Sequence, residues 1–322
     1  MRRAISACEL TKVLVIDVHA EIYRDRLRAE FPDLEFVLAH SAAKAPHDLS
    51  DIDALICFGI AIEDSILRRA TRLQWIQSLA TGVDHFLRCP SLKPDVLITS
   101  GRGIHGVPMR EEILYLMMAV SRDAARQVED KKTHHWERRL WSTLDGKTAV
   151  IVGIGVIGIA IGELLRALGM TVIGVTRTPR AIAGFDDMMP TDRLTDAARR
   201  ADYLINVLPA SAENIGLFDA KVFGAMKPTA YYINGGRGQT DDEAALIAAL
   251  RERRIAGAGL DVFTKTPLPD DSPLWDLPNV FITPNVGGYI VEYEELIMPI
   301  VIDNVRLFLA GERGKMKNIV AH

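Results

Sequence analysis

Residues 148–158, TAVIVGIGVIG, decide how the rest of the chain is read. Thr148–Val152 is a short β-branched apolar run, the composition of a strand buried on both faces. It runs into Gly153, Gly155 and Gly158, the spacing G-x-G-x-x-G. Ile157, Ile161, Leu164, Leu165 and Leu168 then recur with helical period, and Gly169 stands where a C-cap glycine belongs. Strand, glycine turn and helix thus follow in the order a dinucleotide site requires. In that order Gly153 permits the turn, Gly155 lets backbone approach a pyrophosphate, and Gly158 lets helix pack on strand. Backbone N–H groups from Val156 and Ile157 onward would face phosphate oxygens.

The next apolar run, Met170–Val175, predicts a second strand whose end meets the adenosine ribose. An NAD site places an acidic residue there, roughly 20 residues past the glycines. Here Thr176, Arg177 and Thr178 occupy the position, with Arg180 behind them. A carboxylate repels a 2′-phosphate, whereas hydroxyl and guanidinium groups bind one through charge-assisted hydrogen bonds. The residues favour NADP(H) and leave NAD(H) open, because a solvated basic loop tolerates both.

A chain of 322 residues that is 48% hydrophobic has the material for two cores. A net charge of −4 and a pI near 6.1 give no electrostatic reason to expect nucleic acid or an anionic membrane as partner. Cys8, Cys57 and Cys89 form no C-x-x-C and no metal-ligand spacing, so no metal is expected and the thiols suit a reducing compartment. No continuous apolar segment precedes Glu9, and no run approaches the ~20 residues of a membrane span. The expectation is a soluble cytoplasmic protein.

Residues 1–12 read as a loose lead-in. Lys12–Val18, Asp53–Phe58, Leu73–Ser78 and Asp95–Thr99 predict strands, with helices marked by Ile22, Leu27 and Phe31 and by Ile62, Ile66 and Leu67. That sheet is complete before the glycine motif begins, so a first α/β domain ends near residue 100. Glu111–Val120, EEILYLMMAV, is apolar nearly all round and predicts a helix buried between domains or at a subunit contact. Ser121–Trp141 is charged, carries Trp136 and Trp141, and reads either as an arm on a partner chain or as a solvated helix. Further units follow: strands at Tyr203–Leu208, Ala230–Asn234, Gly259–Val262 and Val280–Thr283, and a helix over Asp241–Arg251. The tail, Glu292–Leu309, is helical and is expected back on the first domain. The fold expected is α/β: two Rossmann-like or flavodoxin-like parallel-sheet domains with an inter-domain cleft. Residues 1–103 with 292–322 form one and residues 104–291 the other.

Five stretches, the glycine motif among them, carry a resemblance: Ser78–His85 (SLATGVDH), Leu144–Gly158 (LDGKTAVIVGIGVIG), Ile233–Gly238 (INGGRG), Gly257–Phe263 (GAGLDVF) and Ser272–Asn279 (SPLWDLPN). In order and number they resemble the D-isomer-specific 2-hydroxyacid dehydrogenase family, over nearly the whole chain. The style is nearest its glyoxylate/hydroxypyruvate reductase branch. The resemblance implies that the first domain binds substrate and the second NAD(P), and that the substrate is a small 2-oxo or 2-hydroxy acid. It places Arg237 at the arginine that grips the substrate carboxylate and polarises the 2-oxo group, a task suited to a planar fixed charge. Thr81 and Gly82 fall on the substrate-binding loop, Asp261 on the acid that contacts the nicotinamide carboxamide, and Pro209 on the turn along the nicotinamide ribose. A buried structural carboxylate is the other reading of Asp261.

The family pattern breaks at two positions. Where the family reads T-P-H-x-G, with the histidine as proton donor, this chain has Thr283-Pro284-Asn285-Val286-Gly287. Thr266 occupies the slot of the glutamate that holds that histidine charged. The changes are linked, since a carboxylate with no imidazolium to hold is a buried unpaired charge. Asn285 can hydrogen-bond a carbonyl oxygen but cannot donate a proton at neutral pH. Tyr289 and Lys265 are the nearest titratable groups in sequence, while His85, His105, His134 and His135 read as surface or packing residues. The resulting expectation is an NAD(P)-dependent 2-oxo acid reductase with an atypical site. The alternative is a catalytically retired dinucleotide-binding sensor or scaffold. The helix at 111–120 adds the expectation of a homodimer.

Overall fold

Val13–Ile16 are fully buried, as an apolar run of this length must be when helices cover both faces of a sheet. They belong to β1 (Lys12–Ile16), the first element of a computed structural model that describes residues 12–58 and 62–320. Most of the lead-in, including Cys8, lies outside the described residues. Then follow α1 (Ala20–Glu30), β2 (Glu35–Ala39), β3 (Ala54–Cys57), α2 (Asp64–Arg69), β4 (Trp75–Ser78), α3 (Asp84–Leu87) and β5 (Leu97–Thr99). The strands are shorter than the apolar runs that announce them. β1 ends before Asp17 because that carboxylate accepts the His19 N–H at 2.7 Å and turns the chain. β2 was not anticipated: it is an edge strand, half-exposed over most of its length, so its pattern is weak.

The middle of the chain carries α4 (Gly106–Ser121), α5 (Ala124–Lys132), β6 (Thr148–Val152), α6 (Val156–Ala167), β7 (Thr171–Thr176), β8 (Asp187–Pro190) and α7 (Leu194–Arg200). It continues through β9 (Tyr203–Asn206), α8 (Ala220–Ala225), β10 (Tyr231–Asn234), α9 (Glu243–Arg251), β11 (Gly257–Leu260) and β12 (Val280–Ile282). The tail forms α10 (Tyr293–Leu309) and β13 (Ile319–Val320). The chain divides into two units, residues 1–104 with 291–322 and residues 105–290.

The first unit holds a six-stranded sheet in the order β13-β5-β4-β3-β1-β2, parallel except for β13, which pairs antiparallel with β5. α10 belongs to this unit through its apolar face: Ile297, Val301 and Val305 are fully buried. Phe308 stacks on Trp75 at 5.3 Å, and the Tyr293 hydroxyl donates to Leu79 O at 2.5 Å.

The second unit holds a seven-stranded, wholly parallel sheet, β12-β11-β10-β9-β6-β7-β8. Strand order reverses beside β6, which places the glycine turn at the point where open α/β sheets bind ligands. α4 corrects an expectation. Its apolar face, with Ile113, Leu116 and Met117 fully buried, packs on β10, β11, β12 and α6 of its own unit. Gly259 allows this, because a Cβ there would lie 2.9 Å from that of Leu116. The buried face is thus accounted for within the unit, while Val107 and Tyr115 of the same helix are exposed. Of the charged stretch 121–141, residues 124–132 are helical, and Trp136 and Leu140 beyond them are exposed.

Candidate active site

The glycine turn has the geometry its spacing predicts. Gly153 adopts φ +107°, a conformation that favours glycine. A Cβ on Gly158 would fall 2.1 Å from Gly153 O, so close packing of α6 on the turn excludes a side chain. Around Gly155 a Cβ would meet nothing within 4 Å. No side chain caps α6 at Gly155, and the N–H groups that open a helix can receive an anion. Open space, a helix N-terminus and a missing Cβ together fit a dinucleotide pyrophosphate. At the other end of α6, Gly169 takes φ +80° and donates to Arg166 O at 3.0 Å, closing the helix.

At the end of β7, Arg177, Thr178 and Arg180 are exposed and Thr176 is half-buried. The Arg177 guanidinium is already engaged by the Glu213 carboxylate. Glu213 comes from the loop after β9, 36 residues away, and the sequence reading had no signal for it.

The loops after β9 and β10 are built on one polar network. Asn206 accepts Leu208 N at 3.0 Å and Asn234 accepts Gly236 N at 2.9 Å, each holding the backbone that follows its strand. Their amides turn to a shared neighbourhood: Asn234 donates to Asp241 Oδ2 at 2.8 Å and Asn206 to Thr240 Oγ1 at 2.6 Å. Tyr232 donates to Asp241 Oδ1 at 2.5 Å. Burial pushes the Asp241 carboxyl up to about 7 although these donors favour its charge. Gly236 seats the loops together, since a Cβ there would stand 2.7 Å from Leu208 O, next to Pro209. On this platform Arg237 is exposed, and its Nη1 donates to Gly236 O at 2.7 Å. Gly238 brings in the loop after β11, because a Cβ there would fall 1.9 Å from the Phe263 carbonyl carbon. Thr266 lies exposed further along that loop.

The loop after β12 hangs from Asp261, whose buried carboxylate accepts Val286 N at 2.8 Å, Gly287 N at 3.1 Å and the Thr283 hydroxyl at 2.7 Å. Thr283 Oγ1 also lies 2.7 Å from Glu112 Oε1 on α4. Burial raises the Glu112 carboxyl, the Thr283 hydroxyl opposes this, and the charge of Asp261 adds to the rise. The structural reading of Asp261 is therefore directly visible. Asn285 sits at the crest of this loop with φ +58°, a left-handed conformation that Asn tolerates. His105, at the N-cap of α4, packs against Gly288 of the same loop. Thr81 and Gly82 belong to the other unit, on the turn between β4 and α3.

A glycine turn open to phosphate, at the carboxyl edge of a wholly parallel sheet, defines a nucleotide-binding α/β protein. Comparison with known proteins makes this specific. Residues 114–287 match the model of the D-isomer specific 2-hydroxyacid dehydrogenase NAD binding domain, and the chain belongs to that family. It is 31% identical over 262 residues to a glyoxylate/hydroxypyruvate reductase B of Escherichia fergusonii, covering 79% of this chain and 80% of the relative. A family member of Aeromonas salmonicida superposes with TM-score 0.89 at 31% identity, over 97% of this chain and 99% of the other. An NADPH-dependent glyoxylate/hydroxypyruvate reductase of Sinorhizobium meliloti, solved with NADP and sulfate, superposes with TM-score 0.83 at 28% identity, over 96% and 98%. Other curated relatives are longer: the chain spans 58% of a D-3-phosphoglycerate dehydrogenase of Methanocaldococcus jannaschii.

Proposed function

We propose that the chain is a reductase of small 2-oxo acids that uses NADPH in preference to NADH. The observation that carries this reading is the exposed Arg237 fork, held on a buried polar platform along the same sheet edge as the open glycine turn. A protein that only bound dinucleotide would have no use for a carboxylate grip beside it. When bound, the cofactor supplies a hydride. Gly153, Gly155, Val156, Ile157 and Gly158 would hold its pyrophosphate. Thr176, Arg177 and Thr178 would meet the adenosine ribose phosphate, and Pro209 and the loop tied by Asp261 would flank the nicotinamide. Arg237 binds the substrate carboxylate and draws electron density from the 2-oxo group. The same reading assigns Thr81 and Gly82 to substrate binding, and Asn285 to a hydrogen bond with the 2-oxo oxygen. The S. meliloti and E. fergusonii reductases support the substrate class, and the NADP bound in the former supports the cofactor.

The test is steady-state reduction of glyoxylate, hydroxypyruvate and larger 2-oxo acids with NADPH and with NADH. Turnover that collapses in Arg237→Ala supports the reductase. Tight NADPH binding with no turnover on any acid returns the chain to the binding-only reading, which the Asn285 and Thr266 replacements favour. A cytoplasmic location, supported by the free thiols of Cys57 and Cys89, belongs to this proposal. So does a homodimer that covers the exposed Trp136 and Leu140; a monomer by light scattering at micromolar concentration would remove it.

A further inference from the structure

Reduction of a 2-oxo group leaves an alkoxide that must collect a proton, and Asn285 has none to give. His105 stands where three parts of the second unit meet. Its ring lies over Gly288, three residues past Asn285: a Cβ at Gly288 would fall 2.9 Å from His105 Cδ2 and 3.5 Å from Nε2. Its neighbour Gly106 abuts the first turn of α6, with a Cβ position 3.6 Å from Val156 Cγ1 and from Ala160 Cβ. Arg237, from the loop after β10, is near enough for its charge to act on the imidazole. The ring thus lies on the loop after β12 and within reach of the arginine's charge, and the residue after it packs on the phosphate-binding helix. Burial first, and the charge of Arg237 second, disfavour the charged form of the ring.

We infer that His105 is the proton donor of the 2-oxo acid reduction, in place of the residue that Asn285 replaces. The inference rests on the reductase reading. As hydride reaches C2 of the substrate, the C=O π pair moves onto oxygen. An N–H bond of the His105 imidazolium breaks and the O–H bond of the 2-hydroxy acid forms. The neutral imidazole recovers its proton from water. Substrate arrival sets up the charge state: a carboxylate on Arg237 offsets the positive charge that holds His105 neutral, so the imidazole takes up a proton as the acid binds.

The pH dependence follows. In the free protein burial first, and Arg237 second, hold His105 below the usual histidine range of about 6.5. kcat/KM for reduction therefore rises as pH falls through a value under about 6.5, and the reverse oxidation rises in the opposite sense.

Two experiments test this. In the ligand-free protein, NMR titration of the histidine signal that disappears in His105→Gln should give a midpoint below about 6.5, moving upward with oxamate, an unreactive 2-oxo acid analogue. A midpoint that ignores oxamate overturns the inference, and this readout needs no turnover. In kinetics, His105→Gln should lose about 10²–10⁴ in kcat/KM and the acid-favoured limb, with NADPH affinity unchanged. If the variant keeps the unmodified rate and profile, His105 is not the donor while the reductase reading stands. If the unmodified protein reduces no 2-oxo acid, both fall together. Should His105→Gln fail to bind NADPH, the pH profile of the unmodified protein decides, and a flat reduction profile rejects the donor.

Discussion

β1 and β6 hold the same place in their sheets, each beside the reversal of strand order and each followed by a short turn and a helix. After β1 the turn is Asp17-Val18-His19. Its polar groups are satisfied from within the chain: Asp17 accepts His19 N, and His19 Nδ1 lies 2.6 Å from Glu294 Oε1. After β6 the turn is Gly153-Ile154-Gly155, with no side chain at the mouth of α6 and open space above Gly155. One unit sets its own carboxylates, Asp17 and Glu294, around the turn that precedes its helix; the other leaves the corresponding turn without side chains at Gly153 and Gly155. The same sheet geometry yields a closed turn or a binding site according to whether the turn residues bring side chains.

The contrast breaks most directly at Gly155. Its backbone, φ −103° and ψ −161°, suits any residue, and a Cβ meets nothing, so Gly155→Asp should fold normally. The new carboxylate would face the pyrophosphate with a repulsion of about 4 kcal/mol at 4 Å. That corresponds to a roughly 10²–10³-fold loss of dinucleotide affinity, read by fluorescence titration with thermal melting as the folding control. Retained affinity would mean that the phosphates lie elsewhere.

The second unit also contains a closed polar site, under Arg237, and pH separates it from the open one. Because Asp241 is pushed up to about 7 in the folded protein, that state binds a proton the unfolded chain, near 3.9, has released. Stability from this group is therefore greatest below about pH 4 and falls as pH rises to about 7, by a few kcal/mol at most. Melting temperature against pH should show this decline in the unmodified protein and lose it in Asp241→Asn. A decline of equal slope in the variant would assign it to another group.

Those two sites differ in how far they could be read beforehand. The glycine turn, the basic run at Thr176–Thr178 and the Arg237 loop are local patterns, in which neighbouring residues carry both the signal and the geometry. Glu112, Glu213, Asp241 and His105 are not local. Glu112 meets Thr283 across 171 residues, and His105 gains meaning only from Gly288 and Arg237, which folding brings to it. The edge strands β2 and β8 were missed for a related reason, since half-exposed strands lack the continuous apolar run that marked β1 and β6.

Glu213 sharpens the comparison on the open side, because there the chain places one of its own acids on a cation assigned to the ligand. The exposed pair with Arg177 contributes little to stability, so Glu213→Gln should leave melting unchanged. Freeing Arg177 should tighten NADPH several-fold, by roughly 1 kcal/mol, with little effect on NADH. An equal gain for both cofactors would place Arg177 away from the 2′-phosphate.

The smallest effects belong to the closed turn. Among the described residues the buried Tyr23 hydroxyl has no hydrogen-bond partner, so Tyr23→Phe should be neutral or stabilising within about 1 kcal/mol by thermal melting. The Glu294 hydrogen bond raises the pKa of exposed His19. Its small stabilisation is full below about pH 6.5 and fades as pH rises through the raised value; Glu294→Gln should abolish it. A marked loss of stability in Tyr23→Phe would show a partner for the hydroxyl and a more elaborate closed site.

The account turns on what the open end of α6 receives. Titration of the unmodified protein with NADPH and NADH, followed by reduced-nicotinamide fluorescence at constant ionic strength, tests that most directly. Saturable binding of both, with NADPH the tighter by at least several-fold, is the expected result. Equal dissociation constants would contradict the role given to Arg177 and Thr176, and failure to bind either would contradict the site itself.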